Sequence, residues 1–393
     1  MYEKLKQQFK NEFGHEARWI VSAPGRTELG GNHTDHQNGR VLAAAVNLRA
    51  MAAAAPNNTG RIRVLSRGFG MSEITLPAGE SSCAEYGTTA SLIRGIAARF
   101  VRMGCIVHGF DAFVESDVLP GSGLSSSAAF EVLIANIINH MENCSLGSLE
   151  IARISQYAEN VYFGKPSGLM DQTASSCGGV IAVDFADPEK PLVRPVAYDF
   201  ESSGHALCII DSGADHAELT DCYAAITEEM AAVSGFFGAK VLREVPEEAF
   251  YKNAADVRRA AGDRAVLRAM HFFEENRRVV LETGALENGN FGEFLKLVSA
   301  SGRSSWMLLQ NVIPEGRSSK QELAFALALA GHLLGERGAF RVHGGGFAGT
   351  IQAFVPRDML ENFRGEIERV LGKDSCHVLS VSPAGGSVLE EIR

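Results

Sequence analysis

The sequence predicts a mixed α+β protein of two domains, and three observations carry that reading. Strand-like and helical patterns alternate through the first half. A polar, proline-containing stretch, ADPEKPLVRP at 186–195, interrupts them near the middle. Residues from about 217 to 333 are then strongly helical before short strand patterns close the chain. A chain of 393 residues exceeds one typical domain of roughly 150. We place the domains at 1–198 and 199–393.

The elements follow in order. MYEKLKQQFKNEFG has an amphipathic helical pattern and lacks the continuous apolar core of a signal peptide. WIVSAPGR and GRVLAAAV read as strands. HGFDAFVES alternates apolar and polar residues and leads to Pro120, which suits a half-buried strand entering a loop. Beyond it Ala129, Val132, Leu133, Ile137 and Ile138 recur at the helical period, behind serines suited to N-caps. A further helix is expected at 147–164 and a strand at GGVIAVDF, 178–185. The second half opens with the strand ALCIIDSG and closes with the strand patterns FRVHGGGFAGTIQAFVP and SCHVLSVSP.

Composition removes several classes of function. With 46% hydrophobic and 21% charged residues, the chain can bury a large core. A net charge of −10, with no run of basic residues, argues against nucleic acid as the main partner. The seven cysteines are scattered and form no CxxC pair, which disfavours a disulfide framework or structural zinc and suits a reducing, cytoplasmic setting. Apolar runs such as VLAAAVNLRAMAAAA are broken by Asn47 and Arg49 and fall short of a membrane span.

Three motifs carry chemistry. In VLPGSGLSSSAAFEV (118–132) a strand enters a glycine- and serine-rich loop that opens a helix. Glycines let backbone N–H groups approach an anion, and the helix start adds partial positive charge. This suits a phosphate, although the loop has no lysine and no GK[ST] ending. A capped glycine-serine turn is the plain alternative. RVHGGGFAGTIQAFVP (341–356) places Gly344, Gly345, Gly346 and Gly349 between two strand patterns, implying a tight turn or close backbone approach. APGRTELGGNHTDHQNGRVLAAAV (23–46) gathers His33, Asp35 and His36. Their close spacing on a loop fits zinc poorly, whereas aspartate, asparagine and histidine beside glycines suit a sugar.

In this order the three stretches resemble the motifs of the GHMP kinases, and the first resembles the galactokinase signature GR-x-N-L-I-G-E-H-T-D-Y-N-x-G. The resemblance implies a two-domain GHMP kinase fold with the active site in the cleft between domains. It implies ATP-dependent phosphorylation of the anomeric hydroxyl of a hexose, galactose before others, with Mg2+. Carried over by position, Asp171 and Arg26 would be catalytic. Gly121, Ser122, Gly123, Leu124, Ser125, Ser126 and Ser127 would wrap ATP. Ser127 (or Ser126) and Glu159 would hold the metal. Asn32, His33, Asp35, His36, Gly168 and Tyr223 would bind the sugar, although the arginines that usually follow this tyrosine are absent.

Asn32 stands where galactokinases have a glutamate resembling a contact to the sugar's 6-hydroxyl, and His36 where tyrosine is usual. Asparagine removes a negative charge there and His36 could add a positive one, so galacturonate is the alternative substrate. Plant galacturonokinases resemble this chain in having HxDHQ at that place. A noncatalytic sugar sensor is the alternative from another class, disfavoured by an intact GLSSSAA. Partners are expected to be the small sugar and ATP, with the chain a monomer or weak oligomer.

Overall fold

The computed structural model describes residues 2–118, 121, 123–214 and 219–392. Its strands are β1 (Trp19–Gly30), β2 (Arg40–Pro56), β3 (Arg61–Ser66), β4 (Gly70–Thr75), β5 (Phe110–Ser116), β6 (Val180–Asp184), β7 (Leu192–Val196), β8 (His205–Ala214), β9 (Ala339–Val342), β10 (Gly349–Pro356), β11 (Cys376–Leu379) and β12 (Ser387–Glu391). One sheet runs β12-β1-β2-β5-β3-β4, with β6 on the far half of β2 and β7 beside β6. The other is antiparallel in the order β11-β8-β10-β9.

The central strands of each sheet bury both faces by alternation of side chains. In β2, Ala52 and Ala54 enter the main core, while Ala53 and Ala55 pack with Leu5 and Phe9 of the first helix, Tyr2–Phe13. Alanine suits such a strand because its small side chain lets layers on both faces come close. In the second sheet Leu207, Ile209 and Phe354 join the main core. Cys208, Ile210, Ile351 and Ala353 face the helices Glu322–Leu334 and Leu360–Leu371. The core is therefore continuous between the two sheets.

Two stretches differ from the sequence expectation. The expected joint at 186–195 contains β7, which among the described residues pairs only with β6, and an edge strand of this kind is where a proline such as Pro195 is tolerated. β12 was not expected; the chain's last strand returns to pair with β1. No helix among the described residues is long and apolar enough to cross a membrane.

Candidate active site

Register shifts in the β1–β2 ladder, between Pro24 and Arg26 and again between Glu28 and Gly30, build the site's floor. Such irregularities re-aim side chains next to active sites. At the first, Gly25 lies so close to Leu124 that an added Cβ would sit 2.9 Å from its carbonyl oxygen, and Arg26 N donates to that oxygen at 3.0 Å. The first motif is thus fastened to the glycine-serine loop.

Arg26, only 7% exposed, donates through Nε and Nη2 to the two oxygens of Asp171, both at 2.7 Å, and through Nη1 to the Gly123 carbonyl. Ser125 Oγ donates to Asp171 Oδ2 at 2.6 Å. Ser125 holds a left-handed backbone (φ 59°), a cost tolerated where neighbours fix the chain, and it precedes the helix Ser126–Met141 without capping it through its side chain. Burial pushes the Asp171 carboxyl up, but the Arg26 charge and the Arg26 and Ser125 hydrogen bonds outweigh it and hold the group below the usual range. The Asp171 side chain keeps 27% of its exposure.

Asp35 lies beside this pair. A Cβ on Gly168 would sit 2.0 Å from Asp35 Oδ2, so any larger residue would have to displace that carboxylate, and the segment 168–171 brings its backbone against the first motif. Burial, reinforced by the Asp171 charge, lifts the Asp35 carboxyl to about 6. Next to it His33 and His36 form one hydrogen-bonded chain. His33 Nε2 donates to the Gly345 carbonyl (2.9 Å), so its Nδ1 accepts from His36 Nε2 (3.3 Å), and His36 Nδ1 accepts from Gln37 Nε2 (3.4 Å). Burial depresses both rings, to about 4 and about 3, so both are neutral at physiological pH. The expectation that His36 adds positive charge is thereby corrected: its surroundings are too dry, and too close to His33, to charge it.

Asn32 is also placed differently from its expected role. It is 1% exposed. Its Nδ2 donates to Glu28 Oε1 (3.2 Å) and the Gly344 carbonyl (2.7 Å), and its Oδ1 accepts from Asn311 (2.9 Å) and Ser305 (3.3 Å). The amide is saturated within the protein and ties the first motif to the third, where the sequence pattern suggested a sugar contact. Glu28, which pairs with fully buried Arg341, is lifted to about 7 by burial against that pairing. Ser305 belongs to a π-helical turn, Ser305–Leu309.

The expected metal donors do meet. Ser127 Oγ donates to Glu159 Oε1 at 3.2 Å. Glu159 sits in another π-helical turn, Ala158–Phe163, and its carboxylate also accepts from Lys165 Nζ (2.8 Å), Ser167 Oγ (2.6 Å) and Gln172 Nε2 (2.9 Å). Gln172 further donates to buried Glu131, whose carboxyl burial holds well above the ordinary range. Gly121 and Gly123 have positive φ, Leu124 is buried, and Ser126 opens the helix; Ser122 lies outside the described residues. Tyr223 Oη donates to the Gly346 carbonyl at 2.8 Å, so this tyrosine braces the glycine-rich third motif. From that motif His343 reaches the glycine-serine loop: a Cβ on Gly123 would meet His343 Nδ1 at 2.8 Å.

Sequence reasoning left Lys165, Ser167 and Gln172 unassigned, although they flank Asp171 and Glu159. Glu28, Asn311 and Arg341 carried no local signal, because their role appears only when distant segments meet. A separate cavity of 840 Å3, lined in part by Leu295, Trp306, Leu327 and Phe340, contains no residue of the three motifs.

A glycine-serine loop at a helix start, an ion-paired carboxylate and a glycine-rich turn are thus joined on one floor. A family model described as the galactokinase galactose-binding signature matches residues 7–56, and one for the GHMP kinases N terminal domain matches 91–179. The chain is 31% identical over 91% of its length to a galactokinase of Actinobacillus pleuropneumoniae, covering 90% of that protein. It is 30% identical to one of Glaesserella parasuis, over 92% and 91% of the two chains. The structure of Lactococcus lactis galactokinase complexed with galactose superposes with a TM-score of 0.85 at 25% identity, covering 99% of this chain and 100% of that one. A Methanococcus jannaschii mevalonate kinase shares the fold, with a TM-score of 0.66 at 16% identity and coverage of 93% and 98%. The chain belongs to the galactokinase family of the GHMP kinases, and it is a sugar kinase.

Proposed function

We propose that the enzyme transfers the γ-phosphoryl group of ATP to the anomeric hydroxyl of galactose. The observation that carries this reading is the Arg26–Asp171 pair, set between Ser125 of the phosphate loop and Asp35 of the sugar motif. Phosphoryl transfer needs little covalent help from the protein; it needs positioning and compensation of charge. Ionised Asp171 accepts a hydrogen bond from the sugar hydroxyl and aims its oxygen at phosphorus. As the O–P bond forms and the bond to the departing ADP oxygen breaks, the hydroxyl proton passes to Asp171. Arg26 uses three of its five N–H donors on Asp171 and Gly123, which leaves two for the transferring group.

Asp35 grips ring hydroxyls, with His33 and Gly168 shaping the same wall. Residues 121–127 wrap the phosphates, an assignment that for Ser122 rests on the motif alone. Ser127 and Glu159 are oxygen donors of the type Mg2+ takes, and when bound there the ion would neutralise phosphate charge. Domains 1–198 and 199–393 supply the two sides of the site, with β12 crossing back to the first. Nothing cationic in residues 30–39 favours a uronic acid, since both histidines are neutral and Asn32 is saturated.

Galactose, galacturonate, N-acetylgalactosamine and arabinose, each assayed with ATP and Mg2+, test the reading. Galactose is expected to have the highest kcat/KM, and galacturonate well above it overturns the substrate assignment.

A further inference from the structure

The phosphate loop GSGLSSS contains no lysine, although loops that bind phosphate through backbone N–H groups are often paired with one. The fold supplies a cation from another segment. Lys165 follows the π-helical turn Ala158–Phe163, and its Nζ lies 2.8 Å from Glu159 Oε1. Ser127 Oγ donates to that same oxygen from the first turn of the loop's helix. The ammonium and the loop hydroxyl are therefore neighbours on a single carboxylate oxygen. Glu159 cannot swing away, because Ser167 and Gln172 hold its other oxygen at 2.6 and 2.9 Å.

Arg26, the other cation at the loop, is anchored at three donors. Lys165 differs. An ammonium has three donors, one of which meets Glu159, and the side chain keeps 57% of its exposure. It is a cation fixed at Glu159, beside Ser127 on the same oxygen, and otherwise largely exposed.

Resting on the kinase reading above, we infer that Lys165 is a nucleotide-binding residue whose ammonium takes a phosphate oxygen of ATP beside Ser127, doing from the 158–171 segment what a loop lysine does elsewhere. Glu159 then both orients Lys165 and offers its oxygen to the divalent ion, so the two cations share the polyphosphate charge.

The test is calorimetric binding of ATP and of adenosine to the full chain in EDTA, for wild type, Lys165→Met and Lys165→Arg, with Mn2+ binding followed by electron paramagnetic resonance. A lost charge-assisted hydrogen bond predicts ATP binding weakened about 10- to 100-fold in Lys165→Met and partly restored in Lys165→Arg, with adenosine binding unchanged. Unchanged metal-free ATP binding in Lys165→Met, with tighter Mn2+ binding, makes the lysine a placeholder for the metal and overturns the inference. An equal loss for adenosine and ATP also overturns it, by showing a general structural effect. Absence of ATP binding in wild type both in EDTA and with Mg2+ removes the nucleotide reading of the loop itself.

Discussion

Arg26 and Asp171, 145 residues apart in the chain, meet in two parallel hydrogen bonds of 2.7 Å. Bidentate geometry of this kind fixes direction as well as charge. Asp171→Asn keeps the shape and removes the anion, so kcat is expected to fall about 10²- to 10⁴-fold, with ATP affinity by calorimetry nearly unchanged. Arg26 is left a mostly buried charge without its counterion, which costs roughly 3 kcal/mol in urea unfolding. The sign with pH follows from the depressed carboxyl. Its stabilisation is fully present above the unfolded value near 3.8 and is lost as pH falls through the lower folded value. The stability gap between wild type and variant should be flat from pH 8 to 5 and shrink below about 4. A kcat within tenfold of wild type sinks the assigned role.

Asp35 titrates in the opposite sense. Raised to about 6, it costs the folded state stability at neutral pH and recovers it as pH falls through that value. Function runs the other way, because a protonated Asp35 no longer accepts freely from ring hydroxyls. We expect kcat/KM for the sugar to decline below about pH 6. His33 and His36, at about 4 and 3, titrate too low to cause this limb. Glu28, at about 7, is turned toward Arg341. Asp35→Asn should therefore give a lower but flat profile between pH 5 and 7.5, and a limb that survives in this variant assigns it elsewhere.

Replacing Asn32 with glutamate is expected to damage the fold before it tunes the substrate. Both amide donors would be lost, and a carboxylate would face the Glu28 oxygen and the Gly344 carbonyl. A buried, uncompensated charge costs about 3–5 kcal/mol. Denaturant unfolding should show that loss, with the galactose-to-galacturonate ratio little changed. A stable variant with an altered ratio contradicts the buried role of this side chain.

The local parts of the site were legible in the sequence because they are local chemistry. Glycines at 121 and 123, serines at a helix start and the 168–171 segment each announce themselves within a few residues. What the sequence did not display is orientation. Asn32 and Asp35 are three residues apart on the same loop, yet one side chain points into the protein and the other lies against Gly168 beside Asp171. That division is decided by Ser305, Asn311 and Gly344, all remote in sequence. The charge state of His36 was hidden for the same reason, since desolvation is a property of the packed fold. The alternation of β5 predicted a strand, but nothing in SVLEE identified β1 as its partner.

That last pairing has a consequence for synthesis. β1 carries Arg26 and begins at residue 19, whereas the strand that covers its outer edge lies at 387–391. Throughout translation β1 therefore presents an open row of amide and carbonyl groups, an invitation to pair with another nascent chain. More than 350 residues separate the two strands, and all of them must be made before that edge is sealed.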